Sequence, residues 1–182
     1  MFRPIARFIF YRIIGWKFTG NFPDLKKYII IVAPHTSNWD FPMGLLARSI
    51  SQIKGTKFLG KAELFKFPFG WIFRGMGGYP VNRSKNTNMV DAVVDIFNSH
   101  EKFKLALAPE GTRKKVSKLK TGFYHIAKKA DVPIIMVGFD YKLKEIRIRE
   151  PFKVTDDMEK DMEDITNWFR TIHAKIEEYS IG

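Results

Sequence analysis

A histidine and a carboxylate stand five positions apart in His35-Thr36-Ser37-Asn38-Trp39-Asp40. Such a pair can do general acid–base chemistry. The carboxylate accepts a hydrogen bond from one ring nitrogen, fixes the tautomer and leaves the other nitrogen free to take a proton. A base of this kind contributes on the order of 10² to 10⁴ in rate. The spacing limits how the two can meet. On a continuous helix, residues five apart are turned about 140° from each other. They meet only if His35 lies on a loop leaving a strand and Asp40 in or just before a first helical turn. Read in isolation, the same residues fit an N-cap (Asp40) and a turn (His35). The chain has neither cysteine nor a Gly-x-Ser-x-Gly elbow to supply a nucleophile. A base here would therefore activate a bound hydroxyl or water directly.

Three further segments place basic residues at glycine-containing turns. Glu110-Gly111-Thr112-Arg113 combines a glycine that lets backbone approach an anion, a hydroxyl, and a planar fork for phosphate. Arg83 follows Gly77-Gly78, and Lys61 follows Gly60. Together they could assemble a phosphate site; singly, each reads equally as a solvated charge.

The elements that must position these groups are legible from apolar patterning. Tyr28 to Ala33 is a continuous apolar run that ends at Pro34, as expected of a strand buried on both faces. Phe41 to Ile53 has helical spacing, with Pro42 acceptable in its first turn. Further strands are expected at Lys57 to Leu59, after Gly77-Gly78, at Phe103 to Ala108, at Pro133 to Asp140, and, antiparallel or at an edge, at Glu145 to Arg149. Helices are expected from Asn86 or Thr87 to about Asn98 and over Thr121 to Ala130. A closing helix runs from Asp156, with Asp156 and Glu159 resembling a capping box and apolar residues recurring to Tyr179. Alternating strands and helices predict an α/β fold: a single layered domain over residues 1–182, with a mostly parallel, mixed sheet and helices on both faces.

Of the 182 residues, 45% are apolar, which excludes a disordered chain, and 31 Lys and Arg against 19 Asp and Glu leave a net charge of +12. That surplus points to an anionic partner: nucleic acid, anionic lipid or a phosphorylated metabolite. The lack of cysteine excludes disulfides and thiolate metal sites and fits a reducing compartment. No run of 18 uncharged apolar residues is present to cross a bilayer. Residues 1–19 combine aromatic bulk with Arg3, Arg7, Arg12 and Lys17, and read as an interfacial helix or as a helix packed on the core. Phe65 to Met76 packs seven large apolar residues around Pro68 and Gly70, and reads as a short helix facing a ligand, a membrane or the core.

His-x4-Asp, a Gly-rich segment ending in Arg83, Pro109-Glu110-Gly111-Thr112-Arg113 and Val132-Pro133-Ile134 occur in this order. The set resembles the 1-acylglycerol-3-phosphate (lysophosphatidic acid) acyltransferase family over about Ile29 to Phe139. The resemblance implies a glycerol-3-phosphate acyltransferase-like α/β fold. It also implies an enzyme in which His35 takes a proton from an acceptor hydroxyl that attacks an acyl thioester, with Asp40 orienting the histidine. Arg83, Glu110, Gly111, Thr112 and Arg113 would bind the acceptor phosphate and shape the site, and Lys61 sits in a Lys-x-Glu-Leu piece also similar to the family. Direct transfer of this kind implies no cofactor and no metal, with acyl-CoA or acyl-carrier protein as co-substrate. The implied partners are a membrane lipid acceptor and an anionic membrane surface rather than nucleic acid, on the cytoplasmic side as a peripheral protein.

Asn82 stands where the family commonly has an acidic residue, Met136 lies where a second proline is usual, and Ser37-Asn38-Trp39 is a polar, bulky filling of the first motif. These departures leave the His–Asp pair intact and the acceptor open. Two rivals remain: a non-enzymatic nucleic-acid or anionic-surface binder, which would use the basic stretch Lys114 to Lys120, and an acyl-thioester hydrolase that uses water in place of the acceptor.

Overall fold

The computed structural model describes residues 3–51, 53, 55–81 and 89–181. Its centre is β2 (Lys27–Val32), whose apolar run is buried on both faces. β5 (Phe103–Leu107) and β6 (Ile134–Asp140) flank it, both parallel to it. β3 (Thr56–Lys61) pairs parallel with β5, and β4 (Gly78–Val81) closes that side. On the other side β7 (Glu145–Ile148) runs antiparallel to β6, and β1 (Lys17–Thr19) pairs parallel with β7. The seven-stranded order is β1-β7-β6-β2-β5-β3-β4.

Side-chain alternation along β2 divides the core in two. Ile29, Ile31 and Ala33 face a cluster built with α4 (Met89–Ser99), α5 (Gly122–Ala130) and α6 (Met158–Arg170). Tyr28 and Ile30 face the other cluster, which holds Ala6 and Phe10 together with Met43, Ala47 and Ile50 of α2 (Asp40–Ser51). Helices thus cover both faces of a mixed, mostly parallel α/β sheet, as the alternation of elements in the sequence anticipates.

Several boundaries differ from expectation. The N-terminal helix is shorter than residues 1–19: α1 (Arg3–Phe8) passes into a wider turn at Ile9–Ile13, and β1 takes Lys17–Thr19 into the sheet. Ala6 and Phe10 pack inward, whereas Ile5, Phe8 and Ile13 are exposed, so this segment has both a core face and an open apolar one. The closing helix stops at Arg170, and its cap is Asp157, whose side chain accepts from Lys160 N at 3.0 Å. Asp156 points to solvent, 3.1 Å from Lys128 Nζ. α3 (Gly70–Gly75) is the short helix expected after Pro68, and it leaves Phe67, Phe69 and Trp71 exposed, Phe67 at 98%. Among the described residues no helix is long and apolar enough to cross a membrane.

Candidate active site

Strand register brings the site together. Ile31 of β2 lies opposite Leu107 of β5, so the two parallel strands end level and their outgoing loops emerge side by side. Ligands in α/β sheets collect at this carboxyl edge. His35 lies on the loop leaving β2, and Glu110 lies three residues past Leu107. The two loops are tied directly: His35 N donates to Glu110 Oε2 at 2.9 Å.

Asp40 is the first residue of α2, not a residue before it. Its carboxylate turns back over the loop. Oδ2 accepts from Ser37 N at 2.9 Å and lies 3.0 Å from His35 Nδ1. Oδ1 accepts the Tyr141 hydroxyl at 2.6 Å. Asp40 is 3% exposed. Burial alone would raise its pKa, but the bonds from His35, Tyr141 and Ser37 outweigh that and hold the carboxyl below the usual carboxylate range. The group is an anion that carries His35 on one oxygen. The imidazole is only partly covered, and with Nδ1 turned to Asp40 its Nε2 is the nitrogen free to exchange a proton.

Glu110 is 2% exposed. Burial pushes its carboxyl up to about 7, the His35 N–H pulls it down in part, and the neighbouring Asp40 charge raises it further. Oε1 has no hydrogen-bond partner among the described residues. Gly111 follows at φ +66°, a left-handed conformation that favours glycine, and a Cβ there would come within 2.6 Å of Lys120 Nζ. Lys120 N in turn donates to Pro109 O at 2.9 Å and closes this turn. Thr112 and Arg113 continue onto an exposed loop, where Thr112 Oγ1 accepts from Lys114 N.

The sequence-derived site is therefore gathered in part. His35, Asp40 and Glu110 form one bonded group; Gly111, Thr112 and Arg113 follow directly on the exposed loop. Lys61 is the last residue of β3, at the same carboxyl edge of the sheet. Arg83 lies outside the described residues. Missing from the sequence reading were Tyr141, which immediately follows β6, and the segment after α6. That segment reaches the first motif through Ile176 N, which donates to Thr36 Oγ1 at 3.2 Å. Tyr141 follows a buried strand, as His35 and Glu110 follow theirs, and that was the available signal.

The family model described as Acyltransferase matches residues 16–140, which contain His35, Asp40 and Glu110. The chain belongs to the Acyltransferase family. It is an acyltransferase enzyme, and the matched span runs from the residue before β1 to the last residue of β6. In fold, this acyltransferase is similar to the crystal structure of the 1-acyl-sn-glycerophosphate (LPA) acyltransferase PlsC from Thermotoga maritima. The two share 21% identity and a TM-score of 0.63, over 91% of this chain and 74% of that one. No curated protein matches the chain.

Proposed function

We propose that this acyltransferase moves a fatty acyl group from acyl-CoA or acyl-carrier protein to the hydroxyl of a lysophospholipid such as lysophosphatidic acid. His35 is the general base and Asp40 orients it. The observation that carries this reading is the 3.0 Å contact between His35 Nδ1 and a buried Asp40 carboxylate, at the carboxyl edge of the central strand. His35 Nε2 takes the acceptor hydroxyl proton as that oxygen attacks the thioester carbonyl. The new ester C–O bond forms, the C–S bond breaks, and the proton passes from the imidazolium to the departing thiolate. Lys61, Arg83, Gly111, Thr112 and Arg113 supply contacts to the acceptor phosphate, and Glu110 holds the His35 backbone.

The reaction is placed at a membrane surface, peripherally and on the cytoplasmic side, with an anionic bilayer as partner. A net charge of +12 supports this, as do the exposed Phe67, Phe69 and Trp71 between Lys66 and Arg74. Replacement of His35 by alanine should reduce acceptor-dependent thiol release from acyl-CoA by at least ~10²-fold. Circular dichroism and vesicle binding should stay unchanged. Near-normal turnover by the folded variant would sink the mechanism. Thiol release without any lipid acceptor would instead identify a hydrolase.

A further inference from the structure

Tyr141 is placed as though its hydroxyl, rather than its ring alone, is required. Asp40 Oδ2 is already engaged by His35 Nδ1 and Ser37 N, so Tyr141 supplies the partner of the remaining oxygen. Left without it, Oδ1 of a carboxylate that is 3% exposed would lose the donor that fixes its rotation. Tyr28 offers a contrast within the same fold. It is a wholly buried tyrosine whose hydroxyl finds no partner among the described residues, so a ring alone suffices there.

Tyr141 is itself held from several directions. Its ring meets the buried Trp16 edge-on, with centroids 5.0 Å apart. Its backbone N–H donates to His173 O at 2.9 Å. The preceding residue, Asp140, accepts from Leu143 N at 2.9 Å and lies 3.0 Å from His173 Nδ1. Lys175 Nζ stands 5.2 Å from the Tyr141 ring centroid and 5.5 Å from that of Trp39. The segment before β1, the end of β6 and the segment after α6 thus converge on one phenol, which is the support a positioning group needs.

We propose that Tyr141 is a positioning residue for acyl transfer: its hydroxyl locks the Asp40 carboxylate so that His35 presents its free nitrogen to the acceptor hydroxyl. The inference rests on His35 being the base. Tyr141 lies one residue beyond the span that the family model matches. Burial, together with the Asp40 charge, pushes the phenol well above its ordinary value, so the group donates at every working pH.

Tyr141→Phe keeps the ring and its Trp16 contact and removes only the donor. Among the described residues, the groups that face the His35–Asp40 pair are Glu110 from the loop after β5 and Tyr141 from the end of β6; Lys175 lies over the phenol from the segment after α6. The substitution leaves the other two in place. Without the tyrosine's bond Asp40 becomes more basic, grips Nδ1–H harder and favours the imidazolium. The acid limb of the kcat/KM profile, where His35 must be neutral, should therefore move to higher pH.

The expected result is a roughly tenfold fall in kcat, the loss typical of one hydrogen bond to a charged group. Both KM values should stay within twofold and the acid limb should shift upward. Retained kcat with an unmoved limb would overturn the proposal. So would a loss of kcat that merely tracks a lowered Tm while the limb stays put. His35→Gln, measured in parallel, separates the layers. Activity surviving in that variant refutes the base, whereas an inactive His35→Gln beside a wild-type-like Tyr141→Phe refutes only the positioning role.

Discussion

Glu110 is the residue whose protonation should be visible in stability. Its folded-state pKa is raised from 4.5 to about 7, chiefly by burial. A raised carboxyl stabilises the fold fully below its unfolded value and loses that contribution as pH climbs through its folded value. The shift corresponds to about 3 kcal/mol, present at pH 4 and gone by pH 8. Glu110→Gln mimics the protonated form and keeps an acceptor for His35 N. In urea titrations from pH 4 to 8, the variant should gain on wild type as pH rises. A difference that stays flat across that range would mean that Glu110 is not held neutral. Asp40 has the opposite sign: its contribution is present above the ordinary carboxylate value and is lost as pH falls through its depressed one. In the sequence, His35, Asp40 and Glu110 stood out because each follows, or closely follows, the end of an apolar run. Tyr141 did not, since an aromatic after a strand reads as core material and its partner is 101 positions away.

The elements were legible where hydrophobic period and length agreed, as for β2 and β6. Two depart from the sequence pattern for a physical reason. β1 is three residues long, too short to show alternation, and it sits in a basic aromatic stretch that reads as helix. The apolar spacing of α6 carries on to Ile172 and beyond because those residues are also buried, but they belong to a chain that has left the helix. Burial alone cannot reveal that exit. Capping tests the corrected start: Asp157→Ala should cost about 1 kcal/mol in urea denaturation. Asp156→Ala loses only an exposed pairing with Lys128 and should cost well under ~1 kcal/mol. Equal costs would return the cap to the capping box read from the sequence.

Across the whole molecule, charge and exposed aromatic surface support one partner. Phe67 and Trp71 are 98% and 73% exposed, so serine at both positions should leave Tm nearly unchanged. Burying each ring in lipid is worth about 1.5–3 kcal/mol. The doubly substituted protein should therefore bind phosphatidylglycerol-containing vesicles at least ~10-fold more weakly in sedimentation. Unaltered binding would place the contact elsewhere. Strand order was the property hardest to read from sequence: β2 pairs with β5 and β6, and nothing local in Tyr28 to Ala33 names those partners.

That order has a kinetic consequence. The ties around His35-to-Asp40 join residues 75, 101 and 140 positions apart in the chain. Separations of this size, like those of the β2 pairings with β5 and β6, are closed more slowly than contacts within a helix. In a refolding time course, recovered turnover should therefore trail the ellipticity that helices restore, because the ties that fasten the first motif span a large part of the chain.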